Sequence, residues 1–406
     1  MTMIGTIAIV GANIAGAQAA AAVRSGGFEG RVVLIGEEPW RPYQRPMLSK
    51  EWLRSDTVPA GFELRDERWY DDNQIDLILG TRVEALDRAG GQLRLADSRC
   101  IPADRVLLAT GARARRLNLP GADAANVHHL RTRADADDLR AALRPGAAIV
   151  VVGMGVIGAE VAASAVQAGC RVTAVEPGGA AMLRTLGGRF GGWLSQLHTA
   201  RGLTAHYGVG VSALEREGAA VRAVILTNGV RLESDAVVVG IGVDPNIELA
   251  AAAGLRVGNG IVVDAQGRTS DPHVWAAGDV SNQPGFFGTR VRLETFQNAA
   301  GQADVAAAAI LGGAGGYLQP CWFWSDQYDC NIQVAGRIDD SLRIIMRGDL
   351  DADSFTAIFL SDKIVEGVLT VNRGADMAVG RRLVGRRASI DLAAAGDMQV
   401  PLRSLI

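Results

Sequence analysis

The chain has 406 residues, enough for two or three cores, and its 48% hydrophobic and 21% charged residues are the balance of a folded globular protein. A net charge of −3 gives no global positive field, so nucleic acid is not an expected partner, and 50 glycines without a Gly-X-Y period exclude collagen and point to tight turns. The four cysteines, with no C-x-x-C among them, are no disulfide framework, which leads to the expectation of a reduced, cytoplasmic protein.

Met1 to Val23 carries no charged side chain and is mostly apolar. A signal peptide would place Lys or Arg before its apolar stretch. A membrane span would not hold Gly5, Gly11, Asn13, Gly16 and Gln18 along its length. The expectation is a buried strand, a glycine turn and a buried helix, with no membrane association. Ile7 to Gly16 (IAIVGANIAG) is followed by Ala-rich sequence and then Arg31 to Glu37 (RVVLIGE). About 140 residues later the pattern returns, as Ile149 to Gly158 (IVVVGMGVIG), more Ala-rich sequence, and Arg171 to Glu176 (RVTAVE). Each copy reads as strand, glycine turn, small-residue helix, strand and acidic residue, the βαβ unit of a dinucleotide-binding sheet. Two copies imply two nucleotide sites.

Val274 to Val280 (VWAAGDV) is a short apolar strand ending in Gly-Asp, and Glu294 to Leu311 is helical and rich in Ala. Gly312 to Gly316 reads as a linker. Beyond it, stretches at Cys321–Trp324, Ile332–Val334, Leu342–Ile345 and Phe355–Leu360 read as strands of a small antiparallel sheet, and a last helix runs from about Ala375 to Val384.

In the second repeat Gly153, Gly155 and Gly158 form an intact G-x-G-x-x-G. The first glycine allows the turn, the second lets backbone approach a pyrophosphate, and the third lets helix pack on strand. The helix N-terminus offers N–H groups and a positive dipole end. Glu176, 23 residues after Gly153, is placed to accept hydrogen bonds from a ribose diol and to repel a 2′-phosphate, which favours NADH over NADPH. The first repeat has Asn13 where the middle glycine should be, and Glu37 or Glu38 at the ribose position.

Pro42 to Lys50 (PYQRPMLSK), Ala109 to Ala112, Val151 to Glu160, Val239 to Val243, Ala277 to Asp279 and Trp322 to Tyr328 (WFWSDQY) together resemble the FAD-dependent, NADH-using ferredoxin reductases of bacterial aromatic-ring dioxygenases and haem-thiolate monooxygenases. The resemblance runs from end to end, and Phe323 to Gln327 is its most specific part. It departs from the family pattern at Asn13 and at Met47, where a second proline is usual. It implies an α/β fold of the glutathione-reductase kind, with two Rossmann-like dinucleotide-binding domains and a small α+β C-terminal domain. The expected divisions are an FAD domain at 1–112 and 245–318, an NAD domain at 113–244, and a C-terminal domain at 319–406.

The resemblance also implies site residues. FAD would lie on Gly11, Asn13, Ala15, Gly16, Glu37, Arg45, Lys50, Val83, Thr110, Gly111, Arg131, Asp279, Phe296 and Trp324. NAD would lie on Gly153, Gly155, Val156, Ile157, Gly158, Glu160, Glu176 and Gly242. Lys50 and Glu160 would be the catalytic pair beside flavin N5. Lysine usage supports this independently: of 41 Lys and Arg, only Lys50 and Lys363 are lysines, so a retained lysine marks a need for a compact point charge. The implied reaction carries hydride from NADH to FAD and then single electrons to a small iron–sulfur ferredoxin of the [2Fe-2S] type. Alternatives of the same fold are a rubredoxin reductase, an NADH oxidase, or a non-enzymatic flavin-bound interaction protein; monomer and homodimer both stay open.

Disulfide reductases of this fold set a C-x-x-C or C-x-x-x-x-C against the flavin, and NADH peroxidases set one cysteine between Pro42 and Trp52, where this chain has none. Cys100 and Cys170 read as small core residues. The five histidines show no metal pattern, and no metal is expected. Arg373 to Arg387 holds five arginines and one Asp, either a solvated face or a docking patch for an acidic ferredoxin.

Overall fold

The Ile7–Val10 run forms a strand because it is buried on both faces, which is why it is continuously apolar. In the computed structural model, which describes residues 4–405, the strand Thr6–Val10 is central in a five-stranded parallel sheet. The order is Val274–Ala276, Arg105–Leu108, Thr6–Val10, Arg31–Ile35, Ile75–Ile78. The helices Ile14–Ser25 and Phe296–Ile310 pack against each other through alanines, including Ala19, Ala20, Ala303 and Ala307, whose small side chains let the backbones approach. Met1 to Met3, the start of the apolar N-terminal stretch, lie outside the described residues.

The chain divides into two compact units. The first is built from the sequence up to Gln44, Ala60–Arg113 and Asp244–Cys321; the second from Arg45–Pro59, Ala114–Val243 and the sequence from Trp322 on. The second unit holds its own five-stranded parallel sheet, ordered Thr204–Tyr207, Arg171–Glu176, Ala148–Val152, Ala236–Val239, Val127–His128. It also holds an antiparallel sheet ordered Trp322–Gln327, Cys330–Gly336, Ile364–Val371, Ser354–Ser361, Arg343–Asp349, on which the helix Gly374–Gly385 packs.

Four of these last strands match expectation; Ile364–Val371 is an addition. Glu366 and Gly367 interrupt its apolar run, yet both are required by packing. Glu366 is buried and ion-paired with Arg387, and a Cβ at Gly367 would stand 2.0 Å from the Arg337 carbonyl oxygen.

Two cysteines correct the sequence reading. Cys100 is exposed, because it begins an edge strand, Cys100–Pro102, whose core-facing residue is Ile101. Cys170 is only half-buried, its thiol donating to the Arg144 carbonyl at 3.3 Å. No helix among the described residues is long and apolar enough to cross a membrane.

Candidate functional site: two nucleotide turns and a buried ion pair

The first glycine turn is shaped by backbone packing within its unit. Gly11 has φ +118°, and a Cβ there would lie 2.1 Å from the Ala109 carbonyl oxygen. Gly16 sits so close to Gly11 that a Cβ would lie 1.9 Å from the Gly11 oxygen. Asn13, the departure from the glycine pattern, is the N-cap of the helix Ile14–Ser25. Its Nδ2 donates to the Ala109 carbonyl at 2.6 Å and its Oδ1 accepts from Gly16 N–H at 3.2 Å, so the side chain folds onto the protein. Ala15 is buried just inside the helix, against the Gly278–Asp279 turn: a Cβ on Gly278 would be 3.0 Å from that of Ala15. Gly278 N–H is held by Gln302 Oε1 at 2.8 Å. Glu37 is exposed at the end of the second strand, and Glu38 accepts from the Tyr43 hydroxyl at 2.6 Å.

On the same unit Thr110 and Gly111 are bracketed by Asn246. The Thr110 hydroxyl donates to the Asn246 carbonyl, the Asn246 amide donates to the Thr110 carbonyl, and Asn246 N–H donates to Gly111. Val83 is buried, and Phe296 opens the helix that carries Gln302. On that helix Gln297 Oε1 and Gln302 Nε2 are buried without a protein partner, so polar groups of a bound nucleotide can answer them.

The second turn repeats the geometry. A Cβ on Gly153 would meet the Gly240 oxygen at 2.5 Å, and one on Gly158 would meet the Gly153 oxygen at 1.9 Å. A Cβ on Gly155 would meet nothing within 4 Å, so this glycine faces open space, where a pyrophosphate can come close. Val156 begins the helix Val156–Gln167, and Ile157 is 42% exposed on its first turn. Glu176 is held by backbone: Oε2 accepts from Met154 N–H and Oε1 from Gly178 N–H, both at 2.7 Å. Gly242, at φ +98°, accepts from Arg115 N–H through its carbonyl.

The second unit also contains the ion pair. Lys50 Nζ lies 3.0 Å from Glu160 Oε1, with the two side chains 5% and 2% exposed. Nζ also donates to the Pro46 carbonyl at 3.1 Å. The Ser49 hydroxyl donates to Glu160 Oε2 and the Ser325 hydroxyl to Oε1. Burial pushes the Glu160 pKa up, and Lys50 with the two hydroxyls pulls against that. Arg45 donates to the Arg131 carbonyl at 2.6 Å, and Thr132 caps the helix after it. Trp324 is half-buried, its ring 5.5 Å from Trp322, over which Arg381 lies at 4.2 Å.

Sequence reasoning missed Ser49 and Ser325 as neighbours of the pair, Gln327 behind Ser325, Gln302 beside the Gly-Asp turn, and Gln297 on the same helix as Gln302. The signal present was position: Ser49 precedes Lys50, and Ser325 and Gln327 lie inside the most family-specific stretch. Among the described residues no group of His, Cys, Asp and Glu could hold a metal ion. Burial raises the thiol pKa of Cys321 to about 11 and of Cys330 to about 12, which leaves neither a reactive thiolate.

Residues 5–303 match the pyridine nucleotide-disulphide oxidoreductase family, and residues 322–406 match the reductase C-terminal family. The chain belongs to the pyridine nucleotide-disulphide oxidoreductase family. It is 39% identical over 404 residues to rhodocoxin reductase of Rhodococcus erythropolis, covering 99% of this chain and 94% of that protein. It is also 39% identical to the biphenyl dioxygenase system ferredoxin–NAD(+) reductase component of Paraburkholderia xenovorans, covering 100% and 99%. Among solved structures, the ferredoxin reductase for the CYP199A2 system from Rhodopseudomonas palustris superposes with a TM-score of 0.95 at 38% identity, over 98% of this chain and 99% of that one. A covalent putidaredoxin reductase–putidaredoxin complex matches with a TM-score of 0.94 at 34% identity, over 99% and 98%. The reductase is an oxidoreductase of the ferredoxin–NAD(+) type, with the α/β fold and FAD and NAD(H) cofactors of its family. The glycine turns and the orphaned amides of Gln297 and Gln302 fit those groups.

Proposed function

We propose that this reductase takes hydride from NADH onto FAD and passes single electrons to a [2Fe-2S] ferredoxin that serves an oxygenase. The observation that carries the reading is the buried Lys50–Glu160 pair, joined by Ser325 of the family-specific C-terminal strand, on a segment (Pro42–Trp52) that carries no cysteine. Without a dithiol beside it, this machinery suits direct electron delivery to a carrier.

We assign FAD to residues 1–112 and 245–318, through Gly11, Asn13, Ala15, Gly16, Glu37, Val83, Thr110, Gly111, Asp279 and Phe296. NAD is assigned to residues 113–244, through Gly153 to Gly158, Glu176 and Gly242. Bound FAD supplies the redox chemistry, taking electrons in a pair and releasing them singly. Lys50 presents a compact positive charge that offsets negative charge at the flavin's reactive edge, and its burial makes that charge count for more than it would in water. Glu160 and the Pro46 carbonyl fix the ammonium's direction. Glu176, rigid on two backbone N–H groups, binds a ribose diol and rejects a phosphate, which selects NADH.

For the partner, the helix Gly374–Gly385 and the turn after it supply an arginine patch. Arg373 and Arg387 are ion-paired with Asp376 and Glu366, whereas Arg381, Arg382 and Arg386 have no carboxylate partner among the described residues. These three, with the Trp322 ring under Arg381, suit an acidic ferredoxin. The reading extends to a cytoplasmic location, where reduced carriers are used.

The test is NADH-driven turnover of purified, flavin-loaded protein with a panel of carriers. The expected result is fast reduction of a two-iron ferredoxin, slowed steeply by added salt. Preference for rubredoxin, or oxygen consumption that needs no carrier, would replace this reading.

A further inference from the structure

The second unit contains a buried polar chain that the reaction as described does not use. It starts at Glu160, which is ion-paired with Lys50 and so can only accept hydrogen bonds. The Ser325 hydroxyl, 2.7 Å away, therefore donates to it. That uses the one hydroxyl proton, so the Gln327 group 2.9 Å from Ser325 Oγ is the donating amide nitrogen. Its second proton faces Met182 Sδ at 3.3 Å. The Gln327 amide oxygen then meets His198 Nε2 at 2.8 Å, which must carry a proton. Nδ1 of His198 is left bare and accepts from the Tyr328 hydroxyl at 2.9 Å.

One ion pair thus dictates every proton in the chain, and four donors point the same way, toward Glu160. Bonds aligned in this manner polarise one another and strengthen the last of them. Ser325, Gln327 and His198 are all buried, so water does not compete. Burial also keeps the imidazole neutral, with its pKa pushed down to about 4. An amide moves no proton readily between its nitrogen and its oxygen, so the chain orients and does not conduct.

We propose that Gln327 and His198 are positioning residues for reduction by NADH: by fixing the Ser325 hydroxyl as a donor, they keep Glu160 ionised and aimed at Lys50. The proposal rests on the assignment of the Lys50–Glu160 pair to that step. The groups that face the chain are few. Lys50 and Ser49 stand at Glu160, while at the far end Arg201 lies 5.4 Å over the Tyr328 ring and is ion-paired with Asp329. Tyr207 adds an electrostatic interaction with Tyr328.

The experiment compares the wild type with Gln327→Met, which keeps the length but neither donates nor accepts as the amide does, and with Tyr328→Phe, which removes only the outermost donor. Flavin reduction by NADH is followed in single turnover across pH, together with the infrared carboxylic-acid band of Glu160, identified as the band that Glu160→Gln lacks. In Gln327→Met the band's titration moves up by about one pH unit, and below it flavin reduction falls about tenfold at unchanged NADH affinity, since one unit is a tenfold change in the ionised fraction. Tyr328→Phe moves both in the same direction by less. Superimposable profiles and an unmoved band would overturn the proposal. If Gln327→Met does not fold, the ¹⁵N spectrum of histidine-labelled wild type still decides: a neutral ring at pH 7 with Nδ1 bare supports the chain, and an Nδ1-protonated ring overturns it. Flavin reduction at the wild-type rate in Lys50→Met and Glu160→Gln would instead overturn the assignment of the pair itself. Slow Lys50→Met and Glu160→Gln with wild-type behaviour in Gln327→Met would overturn the positioning role alone.

Discussion

The two glycine turns of this reductase are built alike at their first and third positions and differently at the second. Gly11 and Gly153 each lie against the carbonyl of the residue just past the end of a neighbouring strand, and Gly16 and Gly158 each lie against the carbonyl of the glycine that opens the turn. These four glycines answer to the protein's own backbone. The middle position is not held by backbone: Gly155 faces open space, and Asn13 is accommodated because its side chain turns inward to cap the helix and bond Ala109. The motif therefore mixes two kinds of requirement, and only the second tolerates exchange. The acidic residues differ too, with Glu176 locked by two backbone N–H groups and Glu37 exposed.

The comparison breaks first at the third glycines. Gly16→Ala and Gly158→Ala should each cost at least about 3 kcal/mol, the upper part of the range for overpacking, because the clash is with backbone that has no rotamer to yield. Denaturant unfolding of each holoprotein measures it, and full stability in either variant would contradict the packing argument.

A second contrast is acid sensitivity, which should be a property of the second unit. His198 is buried there as the neutral ring, at about 4 against an ordinary 6.5. The unfolded chain therefore takes up this proton first as pH falls. Stability from this group is full above about pH 7 and drains between about 6.5 and 4, by about 3 kcal/mol at the lower end. Thermal unfolding of wild type and His198→Asn across that window should show a flatter pH dependence in the variant.

How much of this was legible in the sequence follows from how local each cause is. The turns were readable because a glycine pattern reports backbone geometry within a few residues, and the apolar strands flanking them fixed the sheet. The Lys50–Glu160 pair was legible through the family-specific segments and the scarcity of lysine. The chain beyond it was not. Ser49, Glu160, His198 and Gln327 come from four separate stretches, and only tertiary packing brings them together. The exposure of Cys100 escaped because so short a strand does not declare which face meets the core, and the strand Ile364–Val371, buried along nearly its whole length, escaped because Glu366 and Gly367 interrupt its apolar run.

Smaller effects sharpen the contrast at the middle position. Asn13→Ala should cost about 1 kcal/mol through the lost cap, and Asn13→Gly less, with FAD retained in both. A loss of flavin from Asn13→Gly would show that the side chain serves the ligand and not the helix. Gly155→Ala should change stability by no more than about 0.5 kcal/mol, because nothing lies near the new methyl. Its NADH affinity should fall while its flavin content stays full, as titration with NADH would show.

The most direct test is anaerobic mixing of the flavin-loaded protein with NADH, followed through the flavin absorbance. Wild type should bleach rapidly, and Lys50→Met should bleach about a hundredfold more slowly at similar NADH affinity, the scale expected when one buried electrostatic group is removed. Equal rates in the two proteins, or a wild-type protein that takes up no FAD, would contradict the account.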